Sequence, residues 1–222
     1  MSGTGTDLPR RLRALGVAPG LLLAVYVPTF ALVAVLHLSM AHAVPVIIVV
    51  SATLALGFML ALRRRGPLTL ADFGLRWPAW RDSVVAIVIA VPSAAIVNAL
   101  LSHASEPGPL AGVSLAPALA WLYFGLGAPL QEELIFRGLL QTAAMRALAA
   151  PGPATPRAGI AAVAIAATLF ALAHLAVGPW TAVAALVPGL LAGELRRRSG
   201  SLVPAVVIHA VFNLPGLLMA IR

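Results

Sequence analysis

The sequence predicts an all-α fold: a polytopic membrane bundle of roughly seven transmembrane helices with its N-terminus in the cytoplasm. Three observations carry that reading. Hydrophobic residues make up 61% of the 222 and charged residues 10%, with a mean hydropathy of +1.00, a balance outside that of soluble domains. Apolar runs close to the roughly 20 residues that cross a bilayer recur along the chain. Arginines gather between alternate runs, so the formal charge of +8 marks loops rather than a nucleic-acid surface, and no nucleic-acid partner is expected. Cysteine is absent, which removes disulfides, thiolate ligands and cysteine nucleophiles together.

The runs fall at 16–41, 44–62, 83–102, 114–136, 158–177, 179–195 and 201–221. The first follows Arg10, Arg11 and Arg13. Ala41-His42-Ala43 at its end has the look of a signal-peptidase site, but the run is about twice a secretory h-region and is read as a retained helix. Between the second and third runs lie Arg63, Arg64, Arg65, Arg76 and Arg81; Arg146 and Arg157 separate the fourth and fifth; Arg196, Arg197 and Arg198 follow the sixth. The alternate loops, around 37–44, 102–112 and 177–180, hold no arginine. All arginines but Arg137 and Arg222 therefore share one side, which the positive-inside rule puts in the cytoplasm. The proline-rich stretch 151–156 is a loop. Trp77, Trp80, Trp121 and Trp180 fall near run ends, where amphipathic rings favour the interface. As one helix, 115–148 would extend roughly 50 Å, so Gly125, Gly127 and Pro129 are expected to break it, or its end to lie along the interface.

Polar side chains interrupt the apolar runs at three places: Glu132, Glu133 and Arg137; His174, four residues after Phe170; and His209 with Asn213. An ionisable group inside a bilayer costs about 2.5–3.5 kcal/mol on insertion scales, so such a cluster needs partners or a function. On a helix Glu133 and Arg137 stand at i and i+4 and pair. Glu132 points about 100° away and stays free to act as a general base. Glu132 with His174 can hold and deprotonate water, while His209 and Asn213, sharing a face, offer donors to a developing oxyanion. These are the parts of a peptide-bond hydrolase with water as nucleophile. Counted from the basic loops, His174 would lie roughly 25 Å deep and His209 roughly 12 Å, so tilt, a broken helix or a water-filled cavity is needed to bring them level.

Simpler uses account for the other polar residues. His37, His42, His103 and Asn98 read as interhelical hydrogen bonds, and Gly189 with Gly193 as close helix packing. Glu194, beside Arg196–Arg198, reads as a solvated ion pair. Other intramembrane chemistries lack parts: there is no His-Glu-x-x-His for zinc, no aspartate after Asp82 for an aspartate pair, and no Gly-x-Ser-x-Gly.

Glu132-Glu133-x-x-x-Arg137, Phe170-x-x-x-His174 and His209-x-x-x-Asn213, in that order on three runs, resemble the motifs of the CPBP family, the CAAX prenyl endopeptidases and bacteriocin-processing (Abi-type) proteins. The resemblance spans roughly 114–218; the first three runs match only in being hydrophobic. It implies two parts, 1–113 with three helices and a basic cytoplasmic loop, and 114–222 as a catalytic core of four. It implies a glutamate-dependent intramembrane endopeptidase in a prokaryotic-type inner membrane, acting on CAAX-like prenylated or leader-type peptides. By the family pattern Glu132 and His174 would activate water, His209 and Asn213 would form the oxyanion hole, and Glu133, Arg137 and Phe170 would order the site. Members are often described as metalloproteases, yet these motifs contain no compact zinc signature. No cofactor is assigned; a divalent metal such as zinc on Glu132, His174 and His209 stays open, as does the oligomeric state. Two other readings stay open. A non-catalytic immunity or scaffold protein would tolerate loss of Glu132. A small transporter relaying protons through Glu132 and His174 would need an internal symmetry that the sequence lacks.

Overall fold

The computed structural model describes residues 7–101, 116–149 and 155–220. Every regular element among them is helical. Seven helices follow in order: α1 (Asp7–Val35), α2 (Met40–Arg65), α3 (Trp80–Leu101), α4 (117–148), α5 (Pro156–Ala173), α6 (Pro179–Ser199) and α7 (Val203–Ala220). Four stretches are long and apolar enough to cross a membrane, Gly16–Val35, His42–Arg65, Trp80–Leu101 and Pro156–Ala176; Val203–Leu218 is apolar but shorter. The chain is thus a multi-pass membrane protein. Val27, Phe30, Val88, Ile96 and Leu100 are exposed on α1 and α3, as a surface solvated by lipid permits. Glu132, Glu133 and Arg137 within α4, and Glu194 with three arginines closing α6, lower the hydropathy of those two helices.

Helix α4 is the centre of the bundle and does not break at Gly125, Gly127 or Pro129, a break there being the first of the two outcomes expected for this segment. Residues 117–148 run continuously, with right-handed helical dihedrals at each junction and two π turns, Trp121–Gly127 and Leu134–Leu140. The first π turn explains how Pro129 is tolerated. Ala128 N–H reaches back five residues to Tyr123 O, and the proline, having no N–H, follows where the widened turn relieves its clash. Gly127 serves close approach, since a Cβ there would stand 2.7 Å from Leu122 O and 3.2 Å from Ile48 Cδ1. Every residue of the second π turn is buried. Helices α5 and α6 close against one another through Gly189 and Gly193, as the spacing predicted: a Cβ at 193 would lie 2.9 Å from Val163 Cγ1.

The expected depth mismatch is reduced where the chain turns from α6 to α7. The α6–α7 turn is itself drawn into the bundle. Ser199, Ser201 and Leu202 are buried, as is Phe73 in the 3₁₀ turn Leu70–Phe73. A Cβ on Gly138 would stand 3.4 Å from Phe73 O and 3.5 Å from Leu202 Cδ1. Gly138 lies six residues from Glu132 and Leu202 seven from His209, about 9 and 10.5 Å at 1.5 Å per residue. Helix α7 therefore starts close beneath the site, and His209 needs only two turns to reach it. Irregular backbone at that depth requires internal partners. They are present: Leu202 N–H donates to Gly74 O (2.9 Å), Arg76 Nη2 to Ser199 O (2.9 Å), Ser201 Oγ to Arg76 O (2.6 Å), and Arg196 Nη2 and Thr142 Oγ1 to Asp72 O (2.6 and 3.2 Å).

The minor polar residues divide. Glu194 pairs with Arg197 (2.6 Å) and Arg198 (2.5 Å) as expected, while Arg196 turns inward to Asp72. His42 corrects its expectation: Nδ1 lies 2.8 Å from Oγ of Ser39, the residue that precedes α2, and not on a neighbouring helix. His37 sits in the α1–α2 turn with a left-handed φ of 48°. His103 lies outside the described residues.

Candidate active site

Glu132, Glu133 and Arg137 lie on consecutive turns of α4, where the i, i+4 relation of the last two survives into the second π turn. Glu133 Oε1 is 3.0 Å from Arg137 Nη1, and both side chains are fully buried. The pair rests on proximity rather than on an aligned bond, because Nη1 and Nε of Arg137 and Oε2 of Glu133 have no hydrogen-bond partner among the described residues. Two further contacts hold the guanidinium. Arg137 Nη2 donates to Gly189 O at 3.0 Å, and the charge sits 4.5 Å above the Phe170 ring, a cation–π geometry. Burial of this ion is thus compensated by a carboxylate, a carbonyl and a ring face.

Phe170 is a hub. Its ring meets Phe136 edge-on at 5.0 Å, His209 edge-on at 5.4 Å and His174 at 4.5 Å. Each imidazole is further fixed through Nδ1. His174 Nδ1 lies 2.8 Å from Phe170 O; a carbonyl only accepts, so Nδ1 carries the proton and Nε2 presents its lone pair. His209 Nδ1 donates to Glu133 Oε1 at 2.8 Å. Both Nε2 atoms then converge on one oxygen: Glu132 Oε2 is 4.0 Å from His174 Nε2 and 3.8 Å from His209 Nε2. That oxygen is buried and has no hydrogen-bond partner among the described residues. The predicted asymmetry holds, with Glu133 committed to structure and Glu132 uncommitted between two imidazoles.

Those separations discriminate between occupants. Tetrahedral zinc ligands about 2.0 Å from the metal stand only about 3.3 Å apart, closer than either gap. Among the described residues no group of three or more His, Cys, Asp or Glu side chains is spaced to hold a metal ion. As placed, these donors stand wider apart than a tetrahedral zinc site holds them. Both gaps exceed a direct hydrogen bond but fall within the span of a single bridging water.

Asn213 is fixed by the chemistry of α4. Because Ala128 N–H bonds Tyr123 O and Pro129 offers no N–H, Phe124 O loses its backbone donor. Asn213 Nδ2 donates to it at 3.2 Å, leaving one amide hydrogen and Oδ1 free. A cavity of about 240 Å³ opens beside these groups, lined by Phe170, His174, His209 and Asn213 together with Asn98 and Trp180.

Every site residue expected from the sequence thus falls in one cluster. Sequence reasoning missed three participants. Tyr26 on α1 takes a 3.2 Å hydrogen bond from Gln131 Nε2, beside Glu132. The carbonyl of Gly189 holds Arg137. Asn98 lines the cavity instead of pairing with another helix, a correction to its expected role. Tyr26 and Asn98 are polar interruptions of apolar runs, the same signal that found the motifs.

Residues 114–215 match the family model described as Type II CAAX prenyl endopeptidase Rce1-like, in agreement with the resemblance carried by the three motifs. No curated protein and no solved structure matches the chain.

Proposed function

From the match of residues 114–215 to the Rce1-like CAAX prenyl endopeptidase family model, we propose that the chain is an intramembrane endopeptidase that hydrolyses membrane-associated CAAX-like or leader-type peptides through a Glu132/His174-activated water. The observation that carries this reading is the convergence of two imidazole Nε2 atoms, at 4.0 and 3.8 Å, on the uncommitted Glu132 Oε2. A water between Glu132 and His174 gives a proton to the carboxylate while His174 Nε2 accepts its second hydrogen as a hydrogen bond. The hydroxide attacks the scissile carbonyl carbon. Charge develops on the carbonyl oxygen, and the free amide hydrogen of Asn213 and Nε2 of His209 are the donors nearest to it. Donation from His209 uses the ring with both nitrogens protonated, lying between Glu132 and Glu133. As the C–N bond breaks, the proton on Glu132 passes to the leaving amine, so protons and electrons balance without another reactant. Glu133, Arg137 and Phe170 hold the imidazoles at these angles.

The arginine-rich ends of α2 and α6 and the end of α4 meet around Asp72, which supports one basic face in the cytoplasm of a prokaryotic-type inner membrane, the N-terminus on that side and further crossings by α4, α6 and α7. The test is cleavage of a farnesylated CAAX reporter and a hydrophobic leader-peptide library by purified protein in detergent, beside Glu132→Ala, with and without chelator. Product from wild type, none from Glu132→Ala, and no chelator effect is the expected pattern. Folded wild type that cleaves nothing would favour an immunity or scaffold role. Chelator-sensitive cleavage would return a metal to the site.

A further inference from the structure

The cavity beside the histidines has a wall that the three motifs do not supply. Ala94, Val97, Asn98 and Leu101 of α3 line it together with Phe170, His174, His209 and Asn213. Helix α3 precedes the segment that matches the family. Asn98 is the odd residue of this wall, a carboxamide on the helix with the highest hydropathy of the four membrane-length stretches, 2.5. An amide taken out of water without a partner costs about 1–3 kcal/mol by protein mutational data, so its placement calls for one. Its side chain is exposed at the protein surface of the apolar helix and forms no hydrogen bond among the described residues. It opens on the cavity whose lining also holds His174, His209 and Asn213.

We propose that Asn98 is a substrate-holding residue that binds the peptide backbone of the substrate, its Oδ1 accepting an amide N–H and its Nδ2 donating to a carbonyl. Asparagine supplies both functions from one side chain, and a peptide backbone offers both whatever its side chains. The surrounding Val97, Trp180 and Phe212 take the apolar side chains that flank the bound segment. Asn98 on α3 and Asn213 on α7 then both hold an extended peptide in the cavity they line, with the scissile carbonyl presented toward Glu132. The proposal rests on the hydrolase reading and adds a contact from outside the motif-bearing segment.

Binding and turnover test it separately. Anisotropy of a fluorescent farnesylated CAAX peptide is measured on Glu132→Gln protein with and without Asn98→Leu, and the same peptide is N-methylated at each backbone amide in turn. Loss of one good hydrogen bond corresponds to about tenfold weaker binding. Asn98→Leu is expected to show that loss with an unchanged or higher Tm, because leucine suits an apolar helix. Asn98→Gln, which keeps the amide, should recover part of it. One N-methylation should weaken the Asn98 protein and add nothing in Asn98→Leu. In the Glu132 enzyme, KM should rise about tenfold with kcat within about twofold. Equal affinity with and without Asn98, or equal N-methylation losses in both backgrounds, would overturn the proposal. Failure of the hydrolase reading shows elsewhere, as absent cleavage by wild type.

Discussion

Glu132 and Glu133 are neighbours with opposite duties, and their substitutions should separate. Glu133 holds Arg137 at 3.0 Å and His209 at 2.8 Å inside a fully buried cluster. Removing it strands the Arg137 charge, and Glu133→Ala is expected to lose about 3–5 kcal/mol of stability, read as a lower Tm together with lost activity. Asp72 gives a pH signature far from the site. The Thr69 backbone N–H, then the Thr69 hydroxyl and Arg146, hold its carboxyl below the usual range despite some burial. A folded-state pKa below the unfolded value of about 3.9 stabilises the fold fully above that value. The contribution fades as pH falls below it and is gone under the depressed folded value. Comparing Asp72→Asn with wild type by thermal melting should show a constant gap near neutrality that closes in acid. A gap independent of pH would contradict the assignment.

At the scale of elements, the widened turns of α4 decide where polar groups point. Pro129→Ala restores an N–H able to reach Phe124 O, in competition with Asn213 Nδ2. Activity is expected to fall about tenfold, the worth of one misplaced hydrogen bond, with Tm unchanged or higher. Gly193→Val should do the reverse. Its side chain would press on Val163 Cγ1 and Gln141 Oε1, and overpacking of about 1–3 kcal/mol should lower Tm through the α5–α6 contact. These elements also mark where the sequence was readable. Apolar runs, the i, i+4 pairs and Gly189-x-x-x-Gly193 report periodic, local physics, and the helices, the Glu133–Arg137 pair and the close packing follow them. The continuity of α4 does not follow, because glycine and proline signal a break only while the helix keeps four-residue hydrogen bonding. The start of α7 was equally hidden. Drawing residues 199–202 into the bundle depends on Arg76, Arg196 and Asp72, partners more than one hundred residues apart in sequence, and counting residues from a loop assumes that loops lie outside.

For the whole molecule, the bundle gathers its arginine-bearing ends at one face and buries the reactive groups well above them. The chain has no cysteine, so single introduced thiols report sidedness cleanly. In intact cells an impermeant maleimide is expected to label Ala116→Cys and to spare Arg65→Cys until the membrane is opened; the opposite pattern would invert the topology. Side chains spread over three helices form one cluster, in which His174 and His209 converge on a single carboxylate oxygen of Glu132. That convergence is the central claim. The most direct test is the single-turnover cleavage rate of a farnesylated CAAX peptide by wild type and by Glu132→Gln, an isosteric change, in samples of matched Tm. General-base loss is expected to slow the reaction by about a hundredfold to ten-thousandfold while the peptide still binds. Cleavage by Glu132→Gln at the wild-type rate would contradict the account.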